Sequence, residues 1–250
     1  MSRDGSDDKT IIRLEWNMIL VSIVGDSLST FEGFNPSGYA VYYDAYMQQE
    51  NGLSSVYDTW WAKVNQAMHA YLCVNNSYSG SKVTGENFPA ASSVERISCL
   101  RTAENSPDII LVYIGFNDFG NGVSIRKNKF KINTDLSCFE DAYAIMIDRI
   151  KEQYPQAKVV CGTLMRTWIR NDETWIFPER FAGEIFEDYN KAIRRIAKRK
   201  RVYLADLGSF DIRYETLDGT HPTMEGHQTI ANVWIKCLAS LDLIKPSTTH

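Results

Sequence analysis

Short runs of apolar and β-branched residues recur along this chain, and each is separated from the next by a helical pattern. The first run, Ile19-Leu20-Val21-Ser22-Ile23-Val24, is apolar at nearly every position. Strands of this kind are buried on both sides, as in parallel sheets whose two faces are covered by helices. The alternation therefore predicts an α/β fold around a parallel sheet. The predicted strands are 18–24, 71–74, 109–114, 157–162 and 202–205.

Between these strands, apolar residues recur at helical spacing. With 250 residues, 44% of them hydrophobic, the chain can bury one sizeable core. No repeat or linker divides it, so residues 18–245 are predicted to form a single domain. Residues 1–17 are expected to be a disordered tail or to add an edge strand through Ile11, Ile12 and Leu14. The predicted helices are 38–50, 56–68, 92–103, 138–153, 180–199 and 224–241.

The charge balance gives no reason to expect a nucleic-acid partner, because the formal net charge is −4. A basic run, Arg194–Arg201, falls at the C-terminal end of a predicted helix, where cations complement the helix dipole and stay solvated. No apolar run approaches the about 20 residues that would span a bilayer. We therefore expect neither nucleic acid nor a membrane span.

The five cysteines are widely spaced and include no CxxC pair. Most lie in apolar segments, so we expect buried free thiols, and the polar, acidic N-terminus is unlike a secretory signal. Both observations predict a cytoplasmic protein. The four histidines form no metal-ligand pattern, so no metal or cofactor is expected.

Two sequence features at opposite ends of the chain point to hydrolytic chemistry. Ser27 follows the first strand after Gly25, which permits a sharp turn at the carboxyl end of the sheet. Open α/β folds keep their ligand sites at that end. Asp218 precedes His221 by three residues, a spacing that lets the acid orient the imidazole as a base. Together these features indicate a serine hydrolase.

Four short blocks carry these residues: Gly25-Asp26-Ser27-Leu28, Gly80, Gly115-Phe116-Asn117-Asp118 and Asp218-Gly219-Thr220-His221. Through them the chain resembles the SGNH, or GDSL, hydrolases over about residues 18–235. The resemblance implies a flavodoxin-like three-layer α/β/α sandwich with a central five-stranded parallel sheet. It also implies a small-molecule ester as the substrate.

The resemblance further implies a role for each motif residue. Ser27 would be the nucleophile, His221 its base and Asp218 the partner of the second ring nitrogen. The family's oxyanion donors correspond to the backbone N–H groups of Ser27 and Gly80 and the side-chain amide of Asn117. Gly80 is expected to allow a close backbone approach where a Cβ would intrude.

Each motif residue also has a purely structural interpretation. Ser27 and Asn117 could cap helices, and Gly80 could be a turn glycine. Asp26 and Asp118 are interpreted mainly as structural residues that hold the neighbouring turns.

Other residues compete with the motif, but they fit less well. His227 falls in the first turn of the last helix and is interpreted as structural, while Asp206 and Asp211 lack the three-residue spacing to a histidine. Four tyrosines at helical spacing indicate a core stripe rather than a ligand platform. They are Tyr39, Tyr42, Tyr43 and Tyr46.

Two long stretches, 119–136 and 164–180, leave the active edge of the predicted sheet, where loops of this length are often functional. We predict that they wall the substrate pocket, with Trp168 and Trp175 as apolar or sugar-stacking surfaces; alternatively these rings only anchor the loops. Phe116 and Tyr78, beside the motif blocks, are further candidates for substrate contacts.

The sequence predicts cleavage of a small acyl ester, with acetyl groups on carbohydrate as the first expectation and an acyl-enzyme on Ser27. A thioesterase or lysophospholipase would use the same residues. A catalytically idle binding protein on this scaffold is the alternative from another class. Neither the natural substrate nor the oligomeric state follows from the sequence.

Overall fold

The computed structural model describes residues 18–126 and 134–244, so the segment predicted to be a tail or an edge strand, residues 1–17, lies outside it. The strands, in chain order, are β1 (Ile19–Gly25), β2 (Ala70–Ser77), β3 (Ile109–Tyr113), β4 (Lys158–Gly162), β5 (Arg166–Ile169), β6 (Arg180–Phe181), β7 (Glu184–Ile185), β8 (Tyr203–Ala205) and β9 (Arg213–Thr216). The α-helices are α1 (Ala45–Glu50), α2 (Trp60–Ala67), α3 (Val94–Ser98), α4 (Phe116–Gly120), α5 (Phe139–Gln153), α6 (Phe186–Lys200) and α7 (Met224–Ser240).

The central sheet has five strands in the order β2-β1-β3-β4-β8, and all its neighbouring pairs are parallel. Every residue of β3 and the last five residues of β1 are buried. This burial is what continuous apolar runs require when helices cover both faces. The predicted five-stranded parallel sheet and its α/β class are confirmed.

Helices lie on both faces of the sheet. On one face, Trp60 of α2 stacks on Trp234 of α7 with ring centroids 5.4 Å apart, and Gly162 of β4 leaves room for the Trp234 ring. The adjacent Cys161 faces the other way, toward Tyr143 of α5, which packs against α3 and α6. None of the helices in residues 18–126 and 134–244 combines the length and apolar character needed to cross a membrane.

The strand order creates a crevice at the carboxyl ends of β1 and β3. After β1 the chain continues to one side, to β2, and then returns to the other side, to β3. A reversal of this kind opens a ligand crevice between the two central strands. Ser27 follows β1 and Asn117 follows β3, so the topology places both residues at this crevice.

The predicted helix over residues 38–50 is mostly irregular, since only Ala45–Glu50 is helical. Gly38 has a φ of +81°, outside the helical region. The backbone groups that a helix would use are bound elsewhere: the Tyr42 N–H donates to Thr30 Oγ1, and the Ala40 carbonyl accepts from the Ser79 N–H. The four tyrosines therefore do not form one helical stripe.

The two long stretches are more ordered than predicted where the structure describes them. In the stretch 164–180, β5 pairs in parallel with β9 from Arg166↔Arg213 to Ile169↔Thr216. The predicted helix over 180–199 begins at Phe186, because β6 and β7 first form an antiparallel hairpin. The stretch 119–136 begins inside α4, and its residues 127–133 lie outside the described part.

Candidate functional site

Ser27 lies on a short turn that leaves the end of β1. A Cβ on Gly25 would come within 2.7 Å of Ser77 Oγ, so only glycine fits where the strand ends beside β2. Residues 27–29 form a single 3-10 turn, and the Asp26 Oδ1 atom accepts a hydrogen bond from the Leu28 N–H at 3.1 Å. This cap fixes the backbone that presents the Ser27 hydroxyl. The structural interpretation of Asp26 agrees with this contact.

The Asp26 carboxyl is fully buried, and its environment is unusual for an acid. Burial raises the pKa of Asp26 to about 7, against the opposing effect of the hydrogen bond from Leu28. A group with this pKa can remain protonated near neutrality. It therefore holds the turn with less cost than a buried carboxylate would impose.

The structure brings Ser27, His221 and Asp218 into one hydrogen-bonded line. Ser27 Oγ lies 2.9 Å from His221 Nε2, across 194 residues of sequence. The other ring nitrogen, His221 Nδ1, lies 2.7 Å from Asp218 Oδ2. A hydroxyl, an imidazole and a carboxylate in this order can transfer a proton from the hydroxyl to the imidazole.

Asp218 is held in its ionised form by its neighbours. Its second oxygen, Oδ1, accepts hydrogen bonds from the backbone N–H groups of Thr220 at 2.9 Å and His221 at 2.8 Å. Partial burial alone would raise the pKa of Asp218, but the hydrogen bond and charge of His221 and these backbone donors lower it well below the usual range. The carboxylate is thus available to orient His221 and balance its charge.

The loop that carries Asp218 and His221 is fixed at several points. Thr216 Oγ1 accepts from the Gly219 N–H at 3.0 Å, and the Tyr214 hydroxyl donates to the Thr220 carbonyl at 2.9 Å. Gly219 has a φ of +84°, and its open α-carbon lies under the ring of Trp175. The loop is therefore bound both to β9 and to the stretch 164–180.

The loop that carries Gly80 is attached to the residues that follow β3. The Asn117 side-chain amide donates to the Ser81 carbonyl at 3.0 Å. The Asp118 carboxylate accepts from the backbone N–H groups of Val83 at 2.8 Å and Thr84 at 3.1 Å. Asp118 is thus a clamp on this loop, in line with its structural interpretation.

Gly80 is needed for its backbone conformation. Its φ is +77°, a region that residues with a Cβ rarely adopt. A Cβ at this position would meet no protein atom within 4 Å, so the expectation that a side chain would intrude on the bound substrate stays a prediction.

An arginine that the sequence analysis did not single out holds the base of the crevice. Arg96 of α3 is fully buried and donates through Nη2 to the carbonyls of Gly25 at 3.1 Å and Asn76 at 2.7 Å. Its Nε donates to Asn76 Oδ1, and its Nη1 donates to the Pro89 carbonyl. Burial lowers the pKa of Arg96 to about 10, so the guanidinium remains charged at neutral pH. It therefore ties together the ends of β1 and β2.

Tyr42 packs against the core, but the sequence analysis missed its contact with the site. Its ring stacks on the imidazole of His221 with centroids 3.4 Å apart and planes 9° apart. Its hydroxyl donates to Asp218 Oδ2 at 3.2 Å. The core-stripe interpretation depended on a helix over 38–50, and the irregular backbone there lets Tyr42 contact both the core and the site. No local sequence signal identifies this contact.

The competing residues occupy structural positions. His227 is buried, its Nδ1 accepts from the Trp60 N–H at 3.2 Å, and burial lowers its pKa to about 3. Asp206 accepts from Thr163 Oγ1 and pairs with Arg194.

A cavity of about 320 Å³ lies beside Asp218. Phe116 and Trp175, two of the predicted substrate-contact residues, line it together with Phe119 and Phe177. Trp168 is 40% exposed and is not among the lining residues. Tyr78, also outside the lining, packs against neighbouring aromatic rings of the loop region. Only two of the four candidates therefore face this cavity.

The family model and two similar solved structures point to the same protein family. A family model described as GDSL-like lipase/acylhydrolase matches residues 19–238. The crystal structure of a protein from Bacteroides ovatus, assigned as a GDSL-like lipase, has a TM-score of 0.67 and 28% identity, covering 90% of this chain and 99% of that one. A similar protein from Bacteroides uniformis gives 0.66 and 28%, covering 89% and 96%.

A curated relative is the multidomain esterase of Ruminococcus flavefaciens, which is 26% identical over 236 residues. The match covers 87% of this chain but 28% of that esterase. The chain thus spans little more than a quarter of that relative's length.

Proposed function

The chain belongs to the GDSL-like lipase/acylhydrolase family, and we propose that it is a hydrolase of ester bonds that cleaves small acyl esters through an acyl-enzyme on Ser27. The observation that carries this proposal is the line from Ser27 Oγ through His221 to Asp218, with distances of 2.9 Å and 2.7 Å. Both distances lie in the range of hydrogen bonds that can transfer a proton.

The first half of the reaction forms the acyl-enzyme. Ser27 Oγ attacks the ester carbonyl carbon while His221 Nε2 takes the hydroxyl proton, and the carbonyl electron pair moves to the oxygen. Asp218 stabilises the resulting imidazolium. When the tetrahedral intermediate collapses, the bond to the alcohol oxygen breaks, and His221 returns the proton to the leaving alcohol.

The second half releases the acid. A water molecule gives its proton to His221 and attacks the acyl carbon, and the new tetrahedral intermediate then expels Ser27 Oγ, which recovers the proton. In each half, the negative oxygen requires donors that are already in place. We assign this role to the N–H groups of Ser27 and Gly80 and to the Asn117 amide, which keeps one N–H after its bond to Ser81.

The cavity beside Asp218 supports a small acyl or ring substituent as the bound group. Its volume of about 320 Å³ is at the low end of ligand pockets, and five aromatic side chains line it. Aromatic faces accommodate both a short apolar group and the apolar face of a sugar. We therefore place short acyl esters, including acetyl groups on carbohydrate, ahead of long-chain lipids.

The proposal is tested by hydrolysis of p-nitrophenyl acetate together with active-site labelling. We expect turnover, and a fluorophosphonate probe should leave a single label on Ser27, located by peptide mass spectrometry. Heat-denatured protein is the control and should not be labelled, because activation of Ser27 needs His221 at 2.9 Å. A native protein that neither turns over nor becomes labelled contradicts the proposal and favours a binding protein.

Replacing Trp175 with alanine should change substrate preference. The substitution removes a wall of the cavity, so we expect KM for the acetyl ester to rise roughly 10-fold while longer acyl esters gain relative to it. Trp168→Ala is the matched control, since Trp168 is an exposed tryptophan of the same stretch outside the cavity lining. KM is measured with p-nitrophenyl esters of increasing acyl length.

The outcome also separates the substrate classes. Equal effects of the two tryptophan substitutions would contradict the assignment of this cavity to the substrate. A wild-type activity that rises steeply with acyl length would instead favour a lysophospholipase or a thioesterase with long-chain substrates.

A further inference from the structure

We infer that Tyr42 is a positioning residue that holds the imidazole of His221 and the carboxylate of Asp218 in line with Ser27. This inference rests on the proposed function, because it assigns Tyr42 a role in the same proton transfers. It adds a side chain from outside the motif blocks to the line of Ser27, His221 and Asp218.

The contacts of Tyr42 reach both members of the acid–base pair. Its ring lies parallel to the His221 imidazole, with centroids 3.4 Å apart and planes 9° apart. Its hydroxyl donates to Asp218 Oδ2, the same oxygen that is hydrogen-bonded to His221 Nδ1. Burial and the charge of Asp218 raise the pKa of Tyr42 above its usual range, so the phenol remains a hydrogen-bond donor.

Tyr42 is itself anchored to the turn that carries the nucleophile. Its backbone N–H donates to Thr30 Oγ1 at 2.9 Å, and that hydroxyl donates to the Ser27 carbonyl at 3.0 Å. One threonine hydroxyl thus links the serine turn to the residue that stacks on the histidine. Through Tyr42 and Thr30, the position of the imidazole is therefore coupled to the backbone of Ser27.

Tyr43, the residue after Tyr42, holds the backbone just after His221. Tyr43 is fully buried, and its hydroxyl donates to the Pro222 carbonyl at 2.6 Å. Its ring packs edge-on against Tyr42 with centroids 4.9 Å apart. Tyr42 and Tyr43 together hold the segment from Asp218 to Pro222 against the serine turn.

The stacking of Tyr42 on His221 matters for the proposed proton transfers. His221 must take a proton from Ser27 Oγ and then deliver it to the leaving alcohol, and both transfers depend on the orientation of the ring plane. The terminal torsion of histidine is intrinsically broad, so hydrogen bonds at the two nitrogens alone leave the ring free to tilt. A parallel aromatic face restricts that tilt. The electron-rich face of the phenol also favours the positive charge that forms on the imidazole.

The ring and the hydroxyl can be tested separately. Tyr42→Phe keeps the stacked face and removes the bond to Asp218, so we expect a loss of kcat of only about 2- to 5-fold. Tyr42→Leu keeps an apolar side chain but removes the planar face, and we expect kcat to fall roughly 10- to 100-fold with KM within about twofold. Tyr46→Leu is the matched control, because Tyr46 belongs to the same run and is 66% exposed.

A spectroscopic measurement accompanies the kinetics. The proton between His221 Nδ1 and Asp218 should give an NMR signal far downfield of the amide protons. We expect the signal to persist in the wild type and in Tyr42→Phe, and to broaden or disappear in Tyr42→Leu. If the leucine variant does not fold, Tyr42→Met replaces it, since methionine adapts to irregular space without a ring.

Two results would overturn the inference. One is a leucine or methionine variant with unchanged kcat, and the other is a loss confined to KM, which would make Tyr42 a substrate-binding residue. Failure of the proposed function looks different, because wild-type protein would then show no turnover and no label on Ser27. An active wild type that is unaffected by every Tyr42 variant rejects only the role of Tyr42.

Discussion

Replacing Ser27 with alanine should lower the hydrolysis of p-nitrophenyl acetate by a factor on the order of 10⁴ to 10⁶. The substitution removes the atom that lies 2.9 Å from His221 Nε2 and leaves no group there that could form an acyl-enzyme. The fold should be unaffected, because the contact from Ser27 to Thr30 uses the backbone carbonyl, which alanine retains. Thermal melting should therefore coincide with that of the wild type.

Ser98→Ala is a suitable control for this experiment. Ser98 lies on α3, and its hydroxyl is bound to the Glu95 carbonyl of the same helix. We expect wild-type turnover and wild-type labelling by the fluorophosphonate probe. If Ser27→Ala retained more than about one hundredth of the activity at unchanged stability, another nucleophile would have to be sought.

The second large effect concerns stability rather than turnover. Replacing Arg96 with methionine should lower the free energy of unfolding by about 3–5 kcal/mol. Methionine fills part of the volume but removes the guanidinium donor from the carbonyls of Gly25, Asn76 and Pro89, of which Gly25 keeps the bond from the Tyr78 N–H. Urea denaturation followed by circular dichroism measures the change.

Arg199→Met on the exposed face of α6 is the matched control, and we expect it to change the unfolding free energy by less than about 0.5 kcal/mol. A loss equally small in Arg96→Met would mean that water replaces the guanidinium without cost. Because Arg96 binds the Gly25 carbonyl, two residues before Ser27, the folded fraction of this variant should also lose activity.

The residues that could be predicted are those whose chemistry is local in sequence. The continuous apolar runs predict buried strands without knowledge of their neighbours. The pair Asp218 and His221 lies within four consecutive residues. Ser27 could be placed at the crevice because a parallel sheet brings the ends of its strands to one edge. The family and the sheet are confirmed, whereas the roles of the site residues stay predictions.

Other features depend on contacts that no local pattern encodes. Tyr42 lies in a segment whose periodicity resembles a helix, but its backbone is bound to Thr30 and is not helical. Arg96 looks like an ordinary helix cation until its buried carbonyl partners are known. The pairing of β5 with β9 joins segments more than forty residues apart. Both strands have four residues, which is too short for a recognisable strand pattern in the sequence.

That small two-stranded sheet has a consequence for re-engineering. One strand leads to Trp175 in the cavity wall, and the other leads to Asp218 and His221. The Arg170 N–H and the Trp168 carbonyl both bind Thr216, and Thr167 Oγ1 donates to the Gly219 carbonyl. A graft of the stretch 164–180 alone would replace β5 and leave β9 without its matched partner strand. We expect that a donor segment will be transplanted successfully only as a cassette that carries both strands.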